Sequence, residues 1–197
     1  MIGEVVWKLR PEDRIHRSVI VGGIFSPEEI KNIKSIAANV ETKPGFVGKS
    51  GEQKEIRKCQ IKWLPPEEGR VWVYQRLVDV IQNINSQYFN LNLYGLETLQ
   101  YTIYDADNNE FYAAHRDVHH EFKNNLVRKL TFSLQLSDPS EYEGGDLVIN
   151  VGFDPITASK LSGDITFFMA DSVHEAKPVT KGTRHVLVVW VSGPPVM

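Results

Sequence analysis

Apolar and polar residues alternate with a period of two along much of the C-terminal half of this chain. The runs are Leu99–Tyr104, Arg128–Leu136, Glu143–Ile149, Gly163–Phe168 and His185–Val191. Gly, Pro, Asn and Asp residues separate them. Side chains two apart on a strand point to the same face, so this alternation predicts strands with one face toward a core. We therefore expect residues 96–191 to form short strands of an antiparallel sandwich or barrel.

A helix is predicted early in the chain, after an edge strand over Ser18–Phe25. Ser26 is the expected N-cap, Pro27 the first helical residue, and Glu29 completes a capping box. Phe25 and Ile30 are placed to form a hydrophobic staple across this start. The apolar stripe of the helix is Ile30, Ile33, Ala37 and Val40. Such a helix is expected to support the sheet and to carry no chemistry.

A second helix is predicted after a strand over Arg57–Leu64. Pro65 and Pro66 end that strand, and Glu67 and Glu68 suit the positive end of a helix dipole. Apolar residues then recur at helical spacing, at Val71, Tyr74, Val78, Ile81, Ile84 and Tyr88. This stripe predicts a helix that lies on the sheet.

The segment between these elements, residues 41–58, is polar and contains glycine. Loops of this length are either functional or mobile. It is interpreted either as a lid over a site, with Phe46 and Arg57 as contacts, or as a mobile surface loop.

The chain of 197 residues is expected to form a single domain that is mainly β with flanking helices. Residues 1–95 would supply helical support and edge strands, and residues 96–197 the core. Neither repeats nor a low-complexity linker divide the sequence. The 42% of hydrophobic residues is ordinary for a globular protein.

Charge and cysteine content narrow the classes of function. Lys and Arg number 22 against 25 Asp and Glu, a net charge of −3, which disfavours a large nucleic-acid footprint. The single cysteine, Cys59, excludes an intrachain disulfide framework and suits a reducing compartment. No apolar run is long enough for a membrane helix, and the N-terminus does not resemble a signal peptide. We expect a cytoplasmic protein without a membrane partner.

The candidate chemistry centres on Phe111–Asp117, which contains His115 and Asp117 two residues apart. On an extended strand an imidazole and a carboxylate with this spacing converge. A third metal ligand is available at His174. Two histidines and one carboxylate that leave positions open are typical of non-haem Fe(II) oxygenases. The alternative is a pair of exposed polar residues at a strand end.

The remaining histidines are interpreted as surface or core residues. They are His16, His119, His120 and His185. His174 follows the strand Ile165–Met169, so it is expected near a strand end or in the turn after it.

A co-substrate with a second carboxylate would need a fixed cation, and Arg184, ten positions after His174, is the candidate. The apolar strand that follows Arg184 indicates that it points inward. Several hydroxyl and amide side chains could also contact a bound co-substrate: Tyr101, Tyr104, Tyr112, Ser133 and Gln135. Tyr101 and Tyr104 lie on opposite faces of their strand.

These motifs resemble the Fe(II)/2-oxoglutarate-dependent dioxygenases, and within them the prolyl 4-hydroxylase-like branch. The resemblance covers about the last hundred residues, from Leu99 to Pro194. By position, the family's iron ligands correspond to His115, Asp117 and His174. Its basic residue for the distal carboxylate of 2-oxoglutarate corresponds to Arg184, where collagen-type relatives use lysine, and its pocket tyrosine to Tyr104.

The resemblance implies a double-stranded β-helix, or jelly-roll, core. It also implies Fe(II), 2-oxoglutarate and O₂ as cofactor and co-substrates, with ascorbate as reductant and ascorbate binding. The reaction would hydroxylate a C–H bond and release succinate and CO₂. Asp117 disfavours a halogenase, and Trp190 stands where nucleic-acid demethylases carry a second arginine.

The expected substrate is therefore a peptidyl proline in a peptide or protein. A free amino acid or another small molecule is the alternative substrate. A non-catalytic jelly-roll module that holds a metal is the alternative from another class of function.

Overall fold

The structure is a computed structural model that describes residues 16–45, 56–118, 125–152 and 154–195. The helices are α1 (Pro27–Ala38) and α2 (Val71–Ile84), and a π-helical turn, Asn85–Phe89, follows α2. The strands are β1 (Ser18–Val21), β2 (Lys43–Pro44), β3 (Arg57–Lys58), β4 (Gln60–Leu64), β5 (Gly95–Leu96), β6 (Leu99–Asp105), β7 (Phe111–His115), β8 (Val127–Gln135), β9 (Tyr142–Gly144), β10 (Leu147–Asn150), β11 (Pro155–Thr157), β12 (Ile165–Met169), β13 (Val173–Ala176) and β14 (Val179–Gly193). None of the helices in these ranges is long and apolar enough to span a membrane.

The strands form two antiparallel sheets. The larger has the order β1-β12-β8-β14-β6-β4-β2, with β5 and β9 also paired to β14, and the smaller has the order β11-β10-β13-β7-β3. Ile61 and Val186 of the larger sheet pack with Ala176 of the smaller, and Phe168 packs with Leu147. The two sheets therefore face each other across an interior. This confirms the predicted mainly β fold with two helices in the N-terminal half.

The outer face of the larger sheet carries the main apolar core. On β8, Leu130, Phe132 and Leu134 are fully buried, and they belong to one cluster with Leu77 of α2 and Ile33 of α1. The residues between them on β8 point to the opposite face, toward the interior of the sandwich. The helices thus support the sheet from outside and leave its inner face free for a site.

The start of α1 has the predicted capping box. The Glu29 backbone N–H donates to Ser26 Oγ at 3.2 Å, and the Ser26 N–H donates to Glu29 Oε2 at 2.8 Å. Ile30, Ile33 and Ala37 are buried as expected.

The start and the buried face of α2 differ from the prediction. Gly69, with a φ of +82°, ends a turn that holds the acidic pair, so the helix begins at Val71. The buried residues are Val73, Leu77, Val80, Ile81 and Ile84. Val71 and Val78, which the predicted stripe included, are 43% and 39% exposed. The helix carries two overlapping apolar stripes, and packing against the sheet selects the one centred on Leu77.

The predicted strand over Arg57–Leu64 is in fact two strands in different sheets. β3 pairs with β7 of the smaller sheet, whereas β4 pairs with β6 of the larger sheet. The chain crosses between the sheets at Cys59, which brings Arg57 beside β7. Local alternation could not reveal this, because both strands are extended.

The two other N-terminal predictions are altered or left open. The edge strand ends at Val21, before Gly22 and Gly23, instead of continuing to Phe25. Phe46 and most of the predicted lid lie outside the described residues, so the lid stays a prediction.

Candidate metal centre and its cavity

Two neighbouring strands of the smaller sheet bring the two key histidines together. His115 is the last residue of β7, and His174 is the second residue of β13, directly opposite it in the register. Their ring centroids are 4.1 Å apart. His174 lies within a short strand, where the sequence predicted a strand end or the following turn.

Asp117 completes a compact cluster with these imidazoles. Its Oδ2 is 3.4 Å from His174 Nε2, and its Oδ1 is 3.7 Å from His115 Nε2. One ligand atom from each residue lies within 4.8 Å of the others. Among the residues that the structure describes, this is the one group of three or more His, Cys, Asp or Glu side chains found with such spacing. The sequence-predicted triad is therefore assembled in space.

Backbone groups orient both imidazoles toward Asp117. His115 Nδ1 lies 2.8 Å from the Ala113 carbonyl oxygen, and His174 Nδ1 lies 3.0 Å from that of Ser172. A protonated Nδ1 donating to a carbonyl leaves Nε2 with a free lone pair. Both Nε2 atoms are thus available to one ion.

The electrostatics of the cluster also favour a cation. Burial, assisted by neighbouring His174, lowers the pKa of His115 to about 4, so the imidazole is neutral near pH 7. Asp117 is buried, its backbone N–H donates to the Ala170 carbonyl, and its Oδ2 accepts from Thr131 Oγ1 at 2.9 Å. Two imidazole nitrogens and one buried carboxylate suit a divalent transition metal such as Fe(II).

The cluster opens into a cavity between the two sheets. Besides the triad, the lining residues are Arg57, Gln100, Tyr104, Tyr112, Thr131, Ser133, Leu147, Phe168, Ala176, Arg184, Val186, Val188 and Trp190. The cavity thus combines apolar walls with a few polar groups.

Arg184 points into this cavity from β14, as predicted. It is 4% exposed, and its Nε donates to Gln135 Oε1 at 3.3 Å. Its guanidinium lies 5.7 Å from the centre of the Tyr104 ring. Burial raises the pKa of Tyr104, so its hydroxyl remains a donor beside the cation. A carboxylate between these two side chains would meet charged and neutral donors together.

Close packing fixes the stem of Arg184. A Cβ on Gly145 would lie 2.8 Å from Val179 Cγ2 and 3.1 Å from Arg184 Cδ, and Gly145 has a φ of +62°. Only glycine suits this position, because the backbone conformation and the close approach both exclude a side chain. The turn between β9 and β10, which contains Gly145, therefore contributes to the site through its backbone.

Two residues that the sequence suggested as co-substrate contacts, Tyr101 and Gln135, lie outside the cavity. Tyr101 faces the helices in the main core, and its hydroxyl lies 3.0 Å from His185 Nδ1, so it does not line the cavity. Gln135 does not line it either, because its amide contacts Arg184 and the Tyr142 hydroxyl. The period of two already separates Tyr101 from Tyr104. Gln135 is in phase with the cavity face, but it lies beyond the cavity.

Tyr104, Tyr112 and Ser133 do line the cavity. The Tyr112 ring stacks on His115 with a centroid distance of 3.4 Å and an angle of 12°. Their contacts with a bound co-substrate stay predictions.

Sequence reasoning missed Thr131, Gln100 and Trp190 as lining residues. Each lies at an inward-facing position of β8, β6 or β14, so strand phase alone could have found them. The Trp190 Nε1 atom is buried without a hydrogen-bond partner among the described residues. A buried donor without a partner is uncommon, and a bound ligand would supply the acceptor.

The other described histidines lie away from the cluster. His16 packs edge-on against Tyr88, and His185 contacts Tyr101. His119 and His120 lie outside the described residues.

Comparison with known proteins agrees with this site. The family model of the 2OG-Fe(II) oxygenase superfamily matches residues 99–192, which include the triad and Arg184. Over these residues the chain is therefore similar to the 2OG-Fe(II) oxygenases.

In fold, the chain resembles prolyl hydroxylases of known structure. It is similar to a PKHD-type hydroxylase, YbiX, of Escherichia coli O157:H7, with 27% identity over 176 residues, 87% of this chain and 75% of the relative. In fold it resembles a Pseudomonas putida prolyl-4-hydroxylase (TM-score 0.71, 18% identity, 92% and 94% of the two chains). It also resembles a Trichoplax adhaerens prolyl hydroxylase in complex with a hypoxia inducible factor peptide fragment (TM-score 0.73, 15% identity, 89% and 83%). These findings confirm the predicted jelly-roll class.

Proposed function

We propose that this chain is a 2OG-Fe(II) oxygenase, in which His115, Asp117 and His174 hold the Fe(II) ion and Arg184 binds the distal carboxylate of 2-oxoglutarate. One observation carries the assignment: the ligand atoms of three buried side chains converge at one end of a cavity that also contains a buried arginine. Two imidazoles with one carboxylate fit Fe(II), and the guanidinium fits a carboxylate bidentately.

When bound, Fe(II) and 2-oxoglutarate supply the oxidising power that inserts an oxygen atom of O₂ into a substrate C–H bond, with release of succinate and CO₂. The chain's own residues prepare this reaction. Thr131 and the Ala113 and Ser172 carbonyls orient the three metal-binding side chains. Their hydrogen bonds fix the direction of each ligand atom before metal arrives.

The co-substrate end of the cavity acts by positioning. Gln135 holds the Arg184 guanidinium from behind, and the buried Tyr104 hydroxyl provides a second donor. Val186, Val188 and Leu147 contribute apolar walls that exclude water around these groups. Arg184 therefore lies at a fixed distance from the metal-binding triad. A dicarboxylate can bind at both places, which favours 2-oxoglutarate over monocarboxylates.

We propose peptidyl proline as the substrate. The peptide in the Trichoplax complex supports a peptide or protein substrate. A small carboxylated molecule, including a free amino acid, is the second candidate, because a further buried arginine, Arg57, lines the cavity. We also propose ascorbate as the reductant and, from the single Cys59, a reducing cytoplasmic environment.

The experiment is succinate formation from 2-oxoglutarate with Fe(II), O₂ and ascorbate, with and without a panel of proline-containing peptides. We expect peptides to stimulate succinate formation and to gain one oxygen atom, measured by mass spectrometry. Matched peptides with alanine in place of proline are the control. Equal stimulation by the alanine peptides would refute proline as the substrate and retain the oxygenase.

A further inference from the structure

We infer that Arg57 is a second anion-binding residue of the cavity and that it binds a carboxylate of the primary substrate. This inference rests on the proposed function, since it assigns Arg184 to 2-oxoglutarate. It adds a chemical requirement for the substrate: an anionic group near the reacting carbon.

Arg57 is a buried cation that is not neutralised by the side chains described around it. It is 7% exposed and lines the same cavity as the triad. Among the described residues, none of its nitrogens lies within 4.0 Å of a carboxylate oxygen, and its one side-chain hydrogen bond runs from Nε to Cys59 Sγ at 3.0 Å. Burial raises the pKa of the Cys59 thiol, so this sulfur is a neutral partner. Burying an uncompensated charge is costly, so a guanidinium kept in this state favours an anionic ligand.

Another arginine that contacts a lining aromatic ring, Arg128, has its charge neutralised. Arg128 lies 4.0 Å from the Trp190 ring centre, but its Nε and Nη2 donate to Glu97 at 2.7 and 2.6 Å. Arg57 makes a comparable contact with Tyr112 at 4.6 Å, yet lacks such a carboxylate among the described residues. The guanidinium of Arg128 is paired with a carboxylate within the protein, whereas the guanidinium of Arg57 has N–H donors left for a ligand.

The position of Arg57 suits the substrate better than the co-substrate. Its guanidinium lies over Tyr112, which stacks on His115 at 3.4 Å, so one aromatic ring separates the cation from the triad. Of the two carboxylates of 2-oxoglutarate, one would bind at the metal and the other is assigned to Arg184. A third anionic group must therefore come from a different molecule.

Arg57 also borders a second groove, which is open and is lined by Thr42–Gly45, Lys58–Gln60, Asn108 and Glu110. Lys58 adds positive charge to this groove, whereas Lys43 pairs with Glu41 at 3.4 Å and Glu110 is buried. A substrate carboxylate entering here would be attracted toward Arg57. The carboxylate has two sources: the C-terminus of a peptide or free amino acid, and an Asp or Glu side chain beside the reacting residue.

The test measures peptide binding by calorimetry on the full chain loaded with Mn(II) and 2-oxoglutarate, without turnover. The first matched pair is acetyl-Ala-Pro with a free carboxylate and the same peptide as its amide. The second pair is acetyl-Ala-Pro-Asp-amide and acetyl-Ala-Pro-Asn-amide. We expect the acid of at least one pair to bind roughly 10- to 100-fold more tightly than its neutral partner, because a charge-assisted contact is lost in the latter. The preferred pair identifies the source of the carboxylate.

The variants separate Arg57 from its surroundings. Arg57→Gln is expected to abolish the preference for the acid, and Arg57→Lys to retain part of it. The affinity of both variants for 2-oxoglutarate should stay within about threefold of the wild type. Arg17→Gln, which removes an exposed arginine paired with Asp171, is the matched control and should keep the preference. Circular dichroism and thermal unfolding establish that each variant is folded.

Three results would overturn the inference. They are equal affinity within both pairs, an acid preference that survives in Arg57→Gln, and a large loss of 2-oxoglutarate affinity in that variant. If neutral proline peptides are bound and hydroxylated without preference, the inference fails and the proposed function stands. If the acid preference depends on Arg57 but proline peptides are not hydroxylated, the carboxylate site stands and the proline assignment fails.

Discussion

The two faces of the larger sheet are built from alternate residues of the same strands, yet they differ in chemistry. On β8, Leu130 and Phe132 face the helices and are fully buried, whereas the intervening Thr131 faces the cavity and bonds to Asp117. On β14, Leu187 belongs to the helix-side core, whereas Arg184 lines the cavity. Apolar packing on the helix-side face thus allows polar and charged groups to be buried on the cavity face.

The largest expected effect comes from removing a triad ligand on the cavity side. His174→Ala should lower succinate formation at least about 1,000-fold, or about 4 kcal/mol in the activation barrier, because the metal loses one of three protein ligands. The metal-free variant should unfold close to the wild type, since His174 contributes little to the helix-side core.

The assay is succinate formation at saturating 2-oxoglutarate, with His16→Ala as the control because His16 packs on Tyr88, away from the cavity. Full turnover by His174→Ala would disprove its role as a ligand.

A substitution on the helix-side face of the larger sheet should instead lower the stability of the fold. Phe132→Ala should lower the free energy of unfolding by about 3–5 kcal/mol, because Phe132 is fully buried and packs on Phe167 at 4.9 Å between ring centroids. Urea unfolding measures this change. The folded fraction should keep its affinity for 2-oxoglutarate. A variant as stable as the wild type would show that the helix-side face does not hold the fold as described.

Replacing Arg184, the buried cation proposed to bind 2-oxoglutarate, should have an intermediate effect on activity. Arg184→Ala should raise the KM for 2-oxoglutarate roughly 10- to 100-fold, because the distal carboxylate loses a charge-assisted contact. Metal affinity should change little. Arg184→Lys should recover part of the loss, since it keeps the charge but not the bidentate geometry. An unchanged KM in Arg184→Ala would assign the arginine to another role.

The smallest effect is expected at Thr131, next to Phe132 but on the other face. Thr131→Val keeps the shape and removes the hydroxyl that donates to Asp117. Metal affinity should fall about tenfold, because the carboxylate loses the bond that orients it. Equilibrium dialysis with Mn(II) measures this, and Thr102→Val, at another buried polar position of the sheet, is the control. Equal metal affinity in Thr131→Val and the wild type would exclude an orienting role.

Much of the site followed from the sequence because its signals are local. The H-x-D spacing on an extended segment placed His115 and Asp117 together, and the apolar strand after Arg184 indicated its inward direction. The pairing of β7 with β13, which brings His174 to His115, is not local, but the order of the motifs indicated it through the family resemblance.

The predictions for α2 and for the strand over residues 57–64 were wrong because the sequence fitted two structures equally well. The apolar residues of α2 form two stripes, and only the tertiary packing of Leu77 decides between them. The run from Arg57 to Leu64 alternates throughout, although it crosses from one sheet to the other at Cys59. Tyr101 was retained as a contact although strand phase separates it from Tyr104.

The central claim is that the triad and Arg184 form one composite site for a metal and a dicarboxylate. The most direct measurement is the affinity of the full chain for 2-oxoglutarate, by calorimetry, with and without Mn(II). We predict that 2-oxoglutarate binds at least about 100-fold more tightly with the metal, because its 2-oxo acid group would then bind the ion while Arg184 binds the distal carboxylate. Equal affinity with and without Mn(II) would contradict it.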